Sequence, residues 1–119
     1  MIEFTWDARK ARRNEREHGI SFPIARVALQ SGLAIAVEEQ FREGEWRTNV
    51  VVPFRGISLL TVTIADETGE TDGDSYYTID EETEQAWAGD VKIVRIITAR
   101  EATAREQSLY FTYRPPSLG

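Results

Sequence analysis

The spacing of apolar residues changes near residue 32, and this change constrains the fold more than any other feature of the chain. Before it, Asp7 is a good N-cap, residues 8–18 are dense in helix formers, and Gly19 is a natural residue just beyond a helix end. Ser21 can cap a second, shorter helix in which apolar residues recur at i, i+3 and i+7. The first 32 residues therefore predict two helices.

After residue 32 the chain is rich in β-branched and aromatic residues, which favour strands. We predict strands over residues 33–37, 46–54, 57–65, 75–79 and 91–97. The last of them is expected to give way at Thr98 to a helix, because Glu101 follows three residues later and completes a capping box. The predicted fold class is α+β, with two N-terminal helices, an antiparallel sheet and a C-terminal helix.

A chain of 119 residues is long enough for one hydrophobic core but not for two, so residues 1–119 are expected to form a single domain. The absence of Cys excludes disulfides, thiolate catalysis and Cys-based zinc sites, and a single His argues against a His-rich metal site. No apolar run approaches the roughly 20 residues of a membrane span, and the N-terminus lacks the apolar core of a signal peptide. These features predict a cytoplasmic protein without a metal or cofactor.

The net charge of −6 conceals an uneven distribution. Residues 1–60 carry nine Lys and Arg against eight Asp and Glu, and residues 91–119 carry five against two. Residues 61–90 carry ten acidic residues and no basic one. We expect an acidic insertion at about residues 66–90 that extends the sheet as a hairpin, whereas the two ends of the chain suit a polyanionic partner.

Three polar side chains form a stripe on the first predicted helix. Lys10, Asn14 and His18 are four residues apart, so they lie on one side of it. An ammonium, an amide and an imidazole in one groove suit phosphate binding and proton transfer. The alternative is a solvated helix face whose terminal His is favoured by the helix dipole.

Three arginines are candidates for an anion site. Arg95 and Arg100 flank the predicted junction between the last strand and the last helix, and Arg47 is on a strand expected to lie nearby. A guanidinium offers phosphate a planar fork of donors, and the free N–H groups of a helix N-terminus also attract anions. The three could therefore stabilise an oxyanion. Arg95 could equally be an outward strand residue paired with the acidic insertion.

Glu106 and Tyr110 stand on the apolar stripe of the last predicted helix. A partly buried carboxylate is costly unless it is paired, so Glu106 is expected to have an Arg partner or a raised pKa. It is then half of a structural bridge, the commoner outcome, or an acid–base catalyst. Among the aromatic residues that could stack on bases, Tyr110 is the best candidate, because most aromatic residues at strand spacing belong to the core.

Taken together, the two ends of the chain resemble the BrnT family of bacterial toxins, small ribonucleases related in fold to RelE. The matching residues at the front are Phe4, Trp6, Asp7, Lys10, Asn14, His18, Gly19, Ser21, Phe22 and Ala25. Those at the back are Arg95, Ile96, Ile97, Thr98, Ala99, Arg100, Ala102, Glu106 and Tyr110, and Gly44, Glu45 and Arg47 fit a weaker middle pattern. The resemblance covers nearly everything except residues 66–90.

This resemblance implies a RelE-like fold and a metal-independent RNA endonuclease, the toxin of a type II toxin–antitoxin system. It also implies a ribbon-helix-helix antitoxin that holds the toxin silent, and contact with DNA only through that antitoxin. Metal-free cleavage is chemically reasonable because the 2′-hydroxyl is an internal nucleophile close to the phosphorus. On this basis the phosphorane charge is assigned to Arg47, Arg95 and Arg100, substrate binding to Lys10 and Tyr110, and proton transfer to His18 or Glu106.

The chain departs from the family pattern at two places. Glu17 precedes His18, where the family usually has a basic residue, and residues 64–67 lead into the acidic insertion, where it usually has Tyr-Thr and a nearby Arg. Both changes remove positive charge from the expected RNA side. The rival hypothesis is therefore a non-catalytic interaction module whose acidic insertion mimics nucleic acid or binds a partner. In a third reading the insertion is only a solvated extension.

Overall fold

The computed structural model of the chain describes residues 2–55, 58–67 and 92–114. The helices of this part are α1 (Ala8–His18), α2 (Phe22–Leu29) and α3 (Ala104–Tyr113). The strands are β1 (Ile2–Thr5), β2 (Ile35–Arg42), β3 (Glu45–Phe54), β4 (Ser58–Asp66) and β5 (Lys92–Glu101). The strand predicted at residues 75–79, most of the acidic insertion and the tail after residue 114 lie outside the described residues. No described helix is long and apolar enough to cross a membrane.

The strands form one sheet in the order β1-β5-β4-β3-β2. Neighbours from β2 to β5 are antiparallel, whereas β1 pairs in parallel with β5. The predicted α+β class is confirmed, but the wholly antiparallel sheet is wrong at this one edge. The four residues of β1 are mostly exposed and have no strong apolar alternation, so no strand was predicted there.

The start of the C-terminal helix was also predicted wrongly. Thr98 and Glu101 belong to β5, where they pair with Thr63 and Leu60 of β4. The capping box is made instead by Thr103 and Glu106, which have the same spacing. Arg95 and Arg100 therefore both lie within a strand, and the prediction that they flank a helix N-terminus is wrong.

Both N-terminal helices begin at their predicted caps, Asp7 and Ser21, and α1 ends at its predicted glycine, whereas α2 ends at Leu29, before Gly32. The Asp7 carboxylate accepts hydrogen bonds from the backbone N–H groups of Arg9 and Lys10, which hold the pKa of Asp7 below its usual value. Gly19 ends α1 in the left-handed conformation at φ 73°. Buried residues of α2 then pack on one face of the sheet, in a core of Phe22, Ala25, Ala28, Val52, Leu60, Val62, Ile96 and Ala99.

A buried amide fastens α1 to the edge of β5. Asn14 is 5% exposed, and its Nδ2 donates to the carbonyl oxygens of Ala99 at 2.8 Å and Ile20 at 2.9 Å. Its Oδ1 accepts from the backbone N–H of Ala99 at 3.0 Å. Because β1 pairs with β5 only as far as Arg95, the Asn14 amide takes the place of a further strand at Ala99. The sequence analysis did not predict this contact.

The opposite face of the sheet carries α3 at one end and polar residues at the other. Val51, Ala102 and Tyr110 form the buried cluster between α3 and the sheet, with Tyr110 contributed by α3 itself. Strand partners share a face, so Arg100 lies on this side with Val51 and Thr61. By alternation along β3, Glu45 and Arg47 also lie on this side.

Candidate active site

His18 lies where two open grooves meet at the end of α1. The first, which we call the basic groove, has a volume of about 290 Å³ and is lined by Lys10, Arg13, Asn14, Glu17, His18, Glu43, Arg47, Ile97 and Thr98. The second, the Arg100 groove, has a volume of about 490 Å³ and is lined by Glu17, His18, Gly19, Ile20, Phe54, Ser58, Leu60, Arg100 and Glu101. His18 is thus shared by a groove rich in cations and a groove that contains Arg100.

The His18 imidazole is available to a ligand. Its side chain is 36% exposed, and Nε2 is 4.0 Å from the Glu17 carboxylate, which is too far for a hydrogen bond. Lys10 lies two helical turns away on the same stripe, and Asn14 between them holds the stripe against β5. The helix therefore presents an ammonium and an imidazole along one groove.

Alternating charges hold two of the candidate arginines. Arg47 donates from Nε to Glu45 and from Nη2 to Glu43, each at 3.0 Å, and Nη2 also lies 3.0 Å from the Glu45 carboxylate as an ion pair. Glu45 also accepts from Arg95, which in turn donates to Glu67. Glu67 belongs to the acidic insertion, so the prediction that Arg95 pairs with that segment is confirmed. These five residues form one chain of ion pairs that begins at the β2–β3 turn and ends just after β4.

This network fixes the charge of its central carboxylate. Desolvation acts to raise the pKa of Glu45, but hydrogen bonds from Arg95 and Arg47 outweigh it and leave the pKa below its usual value. Desolvation acts to lower the pKa of Arg95, and the hydrogen bond and charge of Glu45 raise it on balance. Glu45 is therefore ionised at neutral pH and holds two guanidinium groups that would otherwise repel each other.

Arg100 and Glu106 form a bidentate ion pair across the β5–α3 connection. Arg100 Nη1 and Nη2 donate to the two carboxylate oxygens at 2.7 and 2.8 Å. The same carboxylate accepts from the Thr61 hydroxyl and from the Thr103 backbone N–H, each at 2.9 Å. These contacts, with the Arg100 hydrogen bonds as the largest cause, lower the pKa of Glu106 to about 2. Of the two expectations for Glu106, the Arg partner is confirmed and the raised pKa is wrong.

Tyr110 is on the buried face of α3, against the sheet, rather than in either groove. It is 8% exposed and belongs to the buried cluster, and its hydroxyl donates to the Leu33 carbonyl oxygen at 3.4 Å. The structure therefore brings Lys10, His18 and Arg47 together in the basic groove and places Arg100 in the adjoining one. It leaves Arg95, Glu106 and Tyr110 outside the lining of both grooves.

Two residues of the basic groove were not predicted from the sequence. Arg13 is next to Asn14 on α1. It is four residues before Glu17, a spacing that indicates that these two residues share a helix face. Glu43 is in the β2–β3 turn, and only its approach to Arg47 in three dimensions reveals its place. Among the described residues, no group of three or more His, Asp and Glu side chains could hold a metal ion.

Comparison with known proteins places this arrangement in a family. A family model described as the ribonuclease toxin BrnT of type II toxin–antitoxin systems matches residues 6–106, which include the lining of both grooves. The chain belongs to the BrnT family. Membership in this family of ribonuclease toxins implies an RNA substrate and an antitoxin partner.

Among solved structures, this BrnT-family chain is similar to the crystal structure of the Brucella abortus ribonuclease toxin BrnT. The two share 14% sequence identity with a TM-score of 0.47, and the match covers 87% of this chain and 99% of that chain. No curated protein sequence matches significantly. The relation in fold to RelE stays a prediction.

Proposed function

We propose that this chain is a metal-independent endoribonuclease that cleaves RNA where the basic groove meets the Arg100 groove. The observation that carries the proposal is the position of His18, which lines both grooves. A strand of RNA lying across this junction would have Lys10 and Arg13 on one side of the imidazole and Arg100 on the other.

The proposed reaction needs little beyond charge and proton transfer. The 2′-oxygen attacks the adjacent phosphorus, the bond from phosphorus to the 5′-oxygen breaks, and the product ends in a 2′,3′-cyclic phosphate. One proton leaves the 2′-hydroxyl and another reaches the 5′-oxygen. We assign one of these transfers to His18, because the two nitrogens of an imidazole can donate and accept a proton. The other proton exchanges with water.

Glu106 is a poor candidate for the same step. A carboxylate with a pKa of about 2 is a weak base at neutral pH, and this one already accepts four hydrogen bonds. We therefore assign Glu106 to holding the guanidinium of Arg100 in a fixed direction. In this proposal Arg47 and Arg100 stabilise the phosphorane charge, and Lys10 binds a substrate phosphate.

The test uses end-labelled single-stranded RNA in buffer that contains EDTA. Cleavage with products ending in 2′,3′-cyclic phosphate is the expected result, and cleavage that appears only after Mg²⁺ is added would refute the mechanism. His18→Asn should lower the cleavage rate by roughly 10²- to 10⁴-fold, the usual contribution of a positioned acid or base. Arg12→Ala is the matched control, because Arg12 is on the same helix but lines neither groove.

A second candidate is favoured by the ion pairs themselves. Arg47, Arg95 and Arg100 are each paired with carboxylates of the same chain, which leaves less positive charge for RNA. A non-catalytic module that keeps the fold and binds a partner protein fits this observation. Induced expression separates the two candidates, because only the ribonuclease should arrest growth and only its arrest should be relieved by His18→Asn.

We further propose that the antitoxin is a ribbon-helix-helix protein encoded beside this chain. The support is the family's membership of type II toxin–antitoxin systems. Co-expression with a small ribbon-helix-helix protein from the neighbouring gene should yield a complex that copurifies and no longer cleaves RNA. A neighbouring protein of another DNA-binding class that silences the toxin would refute this part.

A further inference from the structure

The β2–β3 turn places a carboxylate of the chain over a cation of the basic groove. We propose that Glu43 is an internal competitor of RNA phosphate, whose carboxylate covers Arg47 in the free protein and is displaced when a phosphodiester binds there. Arg47 is then a phosphate subsite that is closed until RNA arrives. The inference rests on the proposed ribonuclease function and adds a residue that limits its affinity for RNA.

The first support is that Arg47 is fixed from within. Its side chain is only 12% exposed, Nε donates to Glu45, and the Glu45 carboxylate is also 3.0 Å from Nη2 as an ion pair. Glu45 is itself 23% exposed and is held on its other side by Arg95. Removing an outer partner would therefore leave the guanidinium in place, ready to bind another anion.

The second support is that Glu43 is such an outer partner. Its side chain is 78% exposed, and it reaches Arg47 Nη2 from the turn at 3.0 Å. Solvent weakens an ion pair whose carboxylate is exposed, whereas hydrogen bonds from Arg to phosphate are charge-assisted and often bidentate. A phosphodiester can therefore replace the Glu43 carboxylate at small cost.

The third support is that Glu43 lines the basic groove together with three cations. These are Lys10, Arg13 and Arg47, so its carboxylate stands among cations that would otherwise face a phosphate together. Replacement of the carboxylate by a phosphate keeps the local charge balance while it adds contacts from the other two cations. Electrostatics therefore favours a phosphodiester as the occupant.

The test measures binding of a single-stranded RNA analogue whose 2′-hydroxyls are all methylated, so that it cannot be cleaved by the proposed reaction. Glu43→Gln keeps the size of the side chain and should tighten binding roughly fivefold, the equivalent of about 1 kcal/mol. The slope of log K against log salt should steepen by up to roughly 0.7, the value for one more single-strand phosphate neutralised. Glu45→Gln should weaken binding, because Glu45 supports Arg47 from within.

Glu39→Gln is the matched control for the loss of one negative charge. Glu39 is on the same hairpin, but it pairs with Thr48 and so lies on the opposite face from Arg47. In an Arg47→Ala background, Glu43→Gln should gain no more affinity than Glu39→Gln does, because the competition has been removed.

The outcomes separate this inference from the proposed function. If the wild type binds and cleaves RNA but Glu43→Gln binds the analogue no more tightly than Glu39→Gln, the competitor role is wrong and the ribonuclease stands. If neither the wild type nor Glu43→Gln binds or cleaves RNA, the proposed function fails and the competitor role fails with it.

Discussion

The buried carboxylate of Glu106 should make the stability of the protein depend on acid in a defined range. Its pKa is about 2 in the folded chain against an ordinary value of 4.5. Since one pKa unit corresponds to about 1.4 kcal/mol, the shift is equivalent to about 3 kcal/mol of folding free energy. Glu106→Gln keeps the shape but loses the charge, so it should lower the free energy of unfolding by about this amount at neutral pH.

The sign of the pH dependence follows from which state binds the proton. Below about pH 4.5 the unfolded chain protonates at this residue while the folded chain does not, so the wild type loses stability as the pH falls towards 2. The variant has no such group and does not lose this contribution. The difference between the two proteins should therefore be full above pH 4.5 and shrink progressively below it.

Urea unfolding followed by circular dichroism at pH 7, and at a series of acid pH values down to the lowest at which both proteins fold, measures this difference directly. All other carboxylates are common to both proteins, so their titration cancels. Glu101→Gln is the control, because Glu101 is an exposed neighbour at the end of β5. A difference that stays constant with pH, or one of less than about 0.5 kcal/mol at pH 7, would refute the reasoning.

The partner of the ion pair gives a second arm to the same experiment. Arg100→Ala leaves the Glu106 carboxylate buried without its counter-charge, and breaking a buried pair in this way typically costs about 3–5 kcal/mol. The double variant Arg100→Ala with Glu106→Gln removes both charges and should be more stable than Arg100→Ala alone. If the double variant is the less stable of the two, Glu106 does not depend on Arg100 for its charge.

Two further predictions concern how α1 is attached and ended. Asn14→Ala leaves the backbone N–H and C=O of Ala99 without their hydrogen-bond partner, so it should lower the free energy of unfolding by about 2–4 kcal/mol. Urea unfolding measures this loss. A loss as small as that of Arg12→Ala would contradict the docking role of Asn14. Gly19→Ala should lower the free energy of unfolding by about 1 kcal/mol through backbone strain at φ 73°. No steric clash adds to this loss, because no atom lies within 4 Å of the added methyl group. A melting temperature unchanged by Gly19→Ala would show that the helix end relaxes without cost.

The parts of the fold that sequence predicted correctly are those set by neighbouring residues. The start and end of α1 follow from Asp7 and Gly19, which act on the backbone within one turn. The parts predicted wrongly depend on distant pairing. β1 exists because it pairs with β5, some 90 residues later in the chain. Two Thr-x-x-Glu sequences, at residues 98–101 and 103–106, fit the capping-box pattern equally well. Only the pairing of β4 with β5 shows that the first of them belongs to a strand.

The candidate site shows the same limit. The i, i+4 spacing placed Lys10 and His18 in one groove, because a helix fixes that geometry locally. The free-energy cost of burying an unpaired carboxylate predicted either an Arg partner or a raised pKa for Glu106, and the structure has the Arg partner. No local pattern indicated that Glu45 joins Arg47 to Arg95, because these residues meet only through the register of the sheet. The roles assigned to these residues in catalysis remain predictions.

The cations of this chain fall into two groups with different physical consequences. Arg47, Arg95 and Arg100 on the sheet are each held by carboxylates, so their directions are fixed and much of their charge is balanced. Among the described residues, neither Lys10 nor Arg13 of α1 forms an ion pair, and both line the basic groove. Long-range attraction depends on unbalanced charge, whereas stabilisation of a transition state depends on fixed direction. In a ribonuclease of this kind, α1 would therefore govern the encounter with RNA and its dependence on salt, and Arg47 and Arg100 would govern the rate of the chemical step.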